Sequence, residues 1–146
     1  MRFLTASRIW TVSSRSIFAR TRQRGERSQT LPVLRALQTA GVRLGILTNG
    51  SSEQQVAKLR AIGAYELVDV VLTAEYLGFW KPDVRAFEAL ARRLEVEPAQ
   101  CLFVGDHPEQ DIAGAIAAGM NAALIDRYTD DAASLEAVVG LHPILG

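Results

Sequence analysis

The chain has 146 residues, 49% of them hydrophobic, which is enough for one domain with a single core. Its one cysteine, Cys101, excludes an internal disulfide and cannot alone form a structural zinc site, and no apolar run reaches the roughly 20 residues of a membrane-spanning helix. The net charge is zero, yet residues 1–30 hold seven arginines and one acid, whereas residues 31–146 hold nine basic and fifteen acidic residues. We therefore expect a cytoplasmic protein that binds neither nucleic acid nor a membrane.

The first 30 residues differ in composition from the rest of the chain. They combine Arg, Ser and Thr with scattered Ile, Trp and Phe, and they contain no secretory apolar core. Three interpretations stay open: an organellar targeting segment, a poorly ordered basic tail, or a start that is not native to the domain. We place a domain boundary near Thr30 and Leu31, with an N-terminal segment over 1–30 and an α/β core over 31–146.

From residue 31 onward, helical and strand periodicities alternate along the chain. The predicted helices cover residues 31–40, 53–62, 82–94 and 112–118, and the predicted strands cover residues 42–47, 68–72, 101–104 and 122–125. Ser52 and Gln55 have the spacing of a capping box for the second helix, and Pro82 can open the third. Four alternations predict a doubly wound parallel α/β sheet with right-handed crossovers.

Ligands of such a sheet bind beyond the carboxyl ends of its strands, so the residues that follow each strand carry the functional prediction. Thr48, Asn49 and Gly50 follow the first predicted strand and offer a hydroxyl, a carboxamide and backbone N–H groups that suit an anion. Taken alone, they are explained more simply by ordinary turn chemistry. Lys81, just before Pro82, can neutralise a phosphate, but a single lysine is more often a solvated surface residue.

Two carboxylates follow the third predicted strand. Asp106 comes directly after Val-Gly at the strand end, and Asp111 lies five residues later. Hard oxygen ligands beside a phosphate site indicate Mg²⁺. An alternative is that Pro108 starts a helix and Asp111 complements its dipole, which explains Asp111 but leaves Asp106 without a reason.

Together these segments resemble three signature motifs of the haloacid dehalogenase (HAD)-like hydrolases, and the resemblance spans roughly residues 31–128. The matching segments are Leu47-Thr48-Asn49-Gly50, Lys81-Pro82-Asp83, and Gly105-Asp106 through Asp111. The resemblance implies a Rossmann-like HAD core of the phosphatase type, which hydrolyses a small phosphorylated metabolite with Mg²⁺ through an aspartyl-phosphate.

The resemblance also implies a role for each matching residue. The implied phosphate ligands are Thr48, Asn49, Gly50 and Lys81, and the implied catalytic residues are Thr48, Lys81 and Asp106. Asp106 would bind Mg²⁺. Asp111 would complete the acidic cluster, either by touching the metal through water or by orienting Lys81.

The family's first motif, Asp-x-Asp on the first strand, supplies the nucleophile and the general acid/base, and it has no counterpart here. No aspartate precedes Asp69. We therefore expect a partial core without its first strand and cap, truncated or altered at its N-terminus and inactive as written. Either residues 8–12 fill the strand position, or a partner chain or second copy completes the sheet.

The sequence leaves two alternative functions. One is a noncatalytic phosphate-binding, Mg²⁺-binding or regulatory module. The other is a phosphoacceptor receiver domain, which is disfavoured because receivers carry their acidic pair first and their Lys-Pro last.

Overall fold

A computed structural model of the chain describes residues 9–13 and 30–125, and of residues 9–13 and 30 it describes the backbone. The elements in chain order are β1 (Ile9–Ser13), α1 (Thr30–Thr39), β2 (Arg43–Thr48), α2 (Ser52–Ala61), a 3₁₀ turn (Tyr65–Leu67), β3 (Val70–Thr73), α3 (Ala74–Leu77), α4 (Val84–Arg93), a 3₁₀ turn (Pro98–Gln100), β4 (Cys101–Gly105), a π-helical turn (Pro108–Ala113), α5 (Gly114–Ala117) and β5 (Asn121–Leu124). Among these elements no helix is long and apolar enough to cross a membrane.

The strands form one five-stranded sheet in the order β3-β2-β1-β4-β5, and every neighbouring pair is parallel. The chain runs outward from β1 to β3, then crosses to the other side of β1 and continues to β5. The strand order therefore reverses between β1 and β4, which is the position where doubly wound sheets bind their ligands. The predicted fold class is confirmed.

The expectation of a missing first strand needs correction, because β1 occupies the centre of the sheet. Ile9 pairs with Arg43 of β2 on one side and with Cys101 of β4 on the other. Backbone groups that a vacant position would leave without partners are thereby hydrogen-bonded. The alternative with residues 8–12 in this position agrees to within one residue. The domain boundary near residue 30 stays a prediction. The five residues of β1, which lie before it, belong to the same sheet as the core.

Two apolar clusters cover the two faces of the sheet. Successive side chains of a strand point to opposite faces, so Leu44 and Ile46 join the first cluster while Leu47 joins the second. Helices α1 and α2 pack on the first face, and α4 packs on the second. On the second face the rings of Phe87 and Phe103 meet edge to face, with centroids 5.0 Å apart.

The start of α2 differs from the predicted capping box. The cap is Ser51, whose Oγ accepts a hydrogen bond from the Gln54 N–H at 3.4 Å. Ser52 and Gln55 do not form a box, because Gln55 Oε1 accepts no hydrogen bond from the described residues and the Ser52 hydroxyl bonds Thr73 Oγ1 at 2.6 Å. Helix α4 likewise starts after Pro82, since the Asp83 carboxylate accepts from the Arg85 N–H and caps it.

Phe87→Ala should cost about 3–5 kcal/mol of the free energy of unfolding, because it opens a cavity against Phe103 in the second cluster. Urea denaturation at constant pH measures this loss. The matched control is Ile116→Ala, which truncates a side chain that is 60% exposed and should change stability by less than about 0.5 kcal/mol. Equal costs for the two variants would contradict the assignment of the core.

Candidate functional site

The predicted site residues gather at the carboxyl edge of the sheet. Thr48 is the last residue of β2 and is buried, and Asp106 directly follows β4. Between them lies the end of β1, where Ser13 pairs with Leu47, one residue before Thr48. The three strand ends therefore meet at the point where the strand order reverses.

Asn49 fastens the turn after β2 to the backbone of Lys81. Its Oδ1 accepts from the Lys81 N–H at 2.8 Å, and its Nδ2 donates to the Lys81 carbonyl oxygen at 3.2 Å. The Gly50 N–H donates to Thr48 Oγ1 at 3.1 Å and closes the turn. Asn49 therefore positions Lys81 through two hydrogen bonds, a role the sequence did not suggest.

Lys81 and Asp111 form a buried ion pair. The Lys81 Nζ lies 2.6 Å from Asp111 Oδ1, and the two side chains are 5% and 2% exposed. Nζ also lies 5.7 Å from the ring centroid of Phe103, whose face favours a cation. Lys81 is therefore held inside the fold, and the alternative of a solvated surface lysine is wrong.

The second oxygen of Asp111 is also engaged. Oδ2 accepts hydrogen bonds at 3.1 Å from the N–H groups of Asp106 and His107. This approach requires glycine at position 105, because a Cβ there would lie 2.5 Å from Asp111 Oδ2. Of the two roles implied for Asp111, the geometry favours orienting Lys81.

A π-helical turn places Asp111 at this depth. The His107 carbonyl accepts from both the Asp111 N–H at 3.0 Å and the Ile112 N–H at 3.3 Å, which widens the turn. His107 caps it, since its Nδ1 accepts from the Gln110 N–H at 3.0 Å. The predicted helix at residue 112 thus begins at Pro108.

The predicted Mg²⁺ ligands are the carboxylates of Asp106 and Asp111. The described part of the chain contains no group of three or more acidic, histidine or cysteine side chains arranged to hold a metal. Asp111 is bound to Lys81 and two backbone amides, which leaves Asp106, of the two predicted metal ligands, to bind a cation directly. Mg²⁺ commonly binds one or two carboxylates together with substrate phosphate and several waters. Asp106 fits that arrangement, whereas a preformed all-protein cage does not fit.

Cys101 lies apart from this edge, at the opposite end of β4, and is buried. Burial raises the pKa of its thiol to about 12, so the thiolate is scarce at neutral pH. The residue packs in the core, as expected from its position in a strand.

Gln55 is a site residue that the sequence reasoning missed. It lies in α2 with its side chain buried against Gly50. A signal existed, because Gln55 lies four residues before buried Leu59 and therefore on the inward face of the helix. The sequence analysis instead assigned Gln55 to a capping box, because it lies three residues after Ser52.

The family model described as "haloacid dehalogenase-like hydrolase" matches residues 9–119, and this match includes β1. The chain belongs to the haloacid dehalogenase-like hydrolases. A HAD-like match that begins at residue 9 agrees with the central placement of β1 in the sheet.

Similar proteins include phosphatases of this family. The glyceraldehyde 3-phosphate phosphatase of Methanothermobacter thermautotrophicus is 37% identical over 103 residues, which cover 70% of this chain and 46% of that protein. A HAD phosphatase structure from Thermococcus onnurineus aligns with a TM-score of 0.67 and 37% identity, over 72% of this chain and 48% of that one. The chain thus spans about half the length of these relatives.

An uncharacterized protein from Corynebacterium glutamicum matches over nearly its whole length. Its crystal structure aligns with a TM-score of 0.71 and 28% identity, and the match covers 92% of this chain and 94% of that one. This structure is therefore similar to the present fold over nearly the full length of both chains.

Asp111→Asn should lower the free energy of unfolding by about 3–5 kcal/mol, because it leaves the buried Lys81 ammonium without its counter-charge. The double variant Lys81→Met/Asp111→Leu should recover much of that loss, and urea denaturation of the wild-type chain, Lys81→Met, Asp111→Leu and the double variant closes a double-mutant cycle.

The control for this cycle is Asp83→Asn, which breaks an exposed ion pair with Arg85 and should have a far smaller effect. A buried-pair variant no more destabilising than this control would contradict the assigned role of the pair.

Proposed function

We propose that this chain binds the phosphate group of a small phosphorylated metabolite with Mg²⁺ in a HAD phosphatase-type site, and that it does not turn the ester over efficiently. One observation carries the proposal. The residues proposed to hold phosphate, with Lys81 paired to Asp111 and tied to the Thr48 turn by Asn49, lie at an edge where β1 supplies no carboxylate.

The anion-binding part rests on charge and on backbone donors. Asn49 ties the backbone of Lys81 to the turn, and the Lys81 side chain carries an ammonium that is paired with Asp111. The turn of Thr48, Asn49 and Gly50 leads into the N-terminus of α2, whose backbone N–H groups and dipole favour an anion. Thr48, Asn49, Gly50 and Lys81 are accordingly the proposed phosphate ligands.

The lack of turnover rests on the residues of β1. This strand reads Ile-Trp-Thr-Val-Ser and ends at Ser13, level with Leu47 and beside the Thr48 turn. The family's covalent route needs a carboxylate on its first strand to form the aspartyl-phosphate. With a serine at the end of β1, Thr48, Lys81 and Asp106 would still stabilise a bound phosphate, but this strand would offer no carboxylate to attack it.

Mg²⁺ is proposed as the accompanying cation, held by Asp106 together with the bound phosphate. When bound, it would neutralise phosphate charge. Asp111 would contribute indirectly, by holding Lys81 and the Asp106 backbone in place.

The relatives named as phosphatases support a phosphorylated substrate class. The proposal that a partner chain or second copy completes the sheet loses its main support, because β1 fills the central position.

Inorganic phosphate should bind the wild-type chain, and Mg²⁺ should tighten that binding. Asp106→Asn should reduce the Mg²⁺-dependent gain in affinity by at least about tenfold, a loss of about 1.4 kcal/mol. Titration calorimetry with phosphate, with and without Mg²⁺, measures both effects. The matched control is Glu109→Gln, the same change at an exposed residue nearby. Absence of phosphate binding under both conditions would overturn the proposed function.

Ser13→Asp should create turnover, because it introduces a carboxylate at the last residue of β1, which pairs with Leu47, one residue before Thr48. With p-nitrophenyl phosphate, the carboxylate oxygen would attack phosphorus and p-nitrophenolate would leave without needing a proton. We expect a burst of about one equivalent of p-nitrophenolate followed by slow hydrolysis of the aspartyl-phosphate by water.

Two comparisons make this experiment decisive. Ser13→Asn, which has the same shape without the charge, should give no burst. Robust steady-state turnover by the wild-type chain would refute the noncatalytic proposal, whereas a silent Ser13→Asp variant that still binds phosphate would refute the position assigned to Ser13.

A further inference from the structure

Gln55 is a buried polar side chain whose carboxamide oxygen lacks a hydrogen-bond partner inside the described fold. The residue is 8% exposed, and its Oε1 is buried without a hydrogen-bond partner among residues 9–13 and 30–125. The backbone N–H of Gln55 is satisfied by the Ser51 carbonyl at 3.0 Å, so the deficit concerns the side chain alone. A buried amide oxygen without a partner destabilises a folded chain.

The carboxamide of Gln55 lies directly against the phosphate-binding turn. A Cβ at Gly50 would lie 2.8 Å from the Gln55 Cδ and 2.9 Å from its Cγ, with Nε2 the nearest atom of all. The φ angle of Gly50 is not positive, so glycine is not needed here for an unusual backbone conformation. Its lack of a side chain instead lets the Gln55 carboxamide approach the turn closely. The turn is therefore open to a donor from α2 because position 50 is glycine.

A leucine of similar size would fill this space without an unsatisfied polar group. A residue that lowers the stability of the fold without making a compensating contact often has a functional role. The buried Oε1 is an acceptor and needs a donor, which a phosphate oxygen does not supply, whereas Nε2 is the Gln55 atom nearest to a Cβ built at Gly50. An N–H donor at that place, beneath a turn that already carries Thr48 and Asn49, suits an anion.

We propose that Gln55 is an additional ligand of the phosphate site, reaching over Gly50 to donate a carboxamide N–H to an oxygen of the bound phosphate. This inference rests on the proposed function and deepens it. The neutral carboxamide adds a hydrogen bond with fixed direction beside the positive charge of Lys81, and so favours a tetrahedral oxyanion seated at the turn over a diffuse anion near the lysine.

The test compares two neighbouring glutamines of α2, of which Gln55 is buried and Gln54 is exposed. Gln55→Leu should weaken the binding of inorganic phosphate by about tenfold while the urea midpoint stays equal or rises. Gln55→Glu should weaken binding by about a hundredfold, because it replaces the donor with a negative charge. Gln54→Leu and Gln54→Glu should leave phosphate affinity within about twofold of the wild-type value.

A second readout observes the side chain directly. In ¹⁵N-labelled protein, the carboxamide NH₂ signals that disappear in Gln55→Leu are those of Gln55, and they should shift on titration with inorganic phosphate. A residue with only a packing role would show no such shift, and its removal would lower the urea midpoint without changing phosphate affinity.

The outcomes separate the two proposals. Phosphate binding by the wild-type chain that Gln55→Leu leaves unchanged would overturn the role of Gln55 alone. No binding by the wild-type chain would overturn the proposed function and this role with it.

Discussion

The site depends on one ion pair that is almost completely removed from water. Lys81 comes from the loop before α4 and Asp111 from the π-helical turn after β4, so their contact joins two segments far apart in sequence. Taking two charges out of water is costly, and the pair is tolerable because Asp111 also accepts two backbone hydrogen bonds. Through Asn49, the same contact fixes the turn after β2.

Two glycines solve the same steric problem on two sides of the site. Gly105 lets the Asp111 carboxylate approach the end of β4, and Gly50 lets the Gln55 carboxamide approach the end of the β2 turn. In both places a side chain from the following helical segment enters space that a Cβ would fill. The positions of the Asp111 and Gln55 side chains therefore depend on the lack of a Cβ at Gly105 and Gly50 as well as on polar contacts.

Much of the fold and of the site edge could be predicted from the sequence. Short continuous apolar runs mark β2 and β4, and parallel strands bring the residues after them to one edge, which located Thr48 and Asp106. The position of β1 was harder, because five residues with little to set them apart locally gain their place from pairing with Arg43 and Cys101. The contacts of Asn49 and Gln55 depend on tertiary geometry that spacing does not encode.

The central position of β1 has a consequence for the order in which the chain folds. Ile9 must meet both Arg43 and Cys101, so the middle of the sheet closes only when most of the chain is available. Forming contacts between such distant residues lowers the conformational entropy of the chain before the contacts stabilise the fold, and this slows folding. On a ribosome, β2 and β3 would emerge and pair long before β4, and the edge of β1 that β4 covers would stay open until residue 105 had been synthesised.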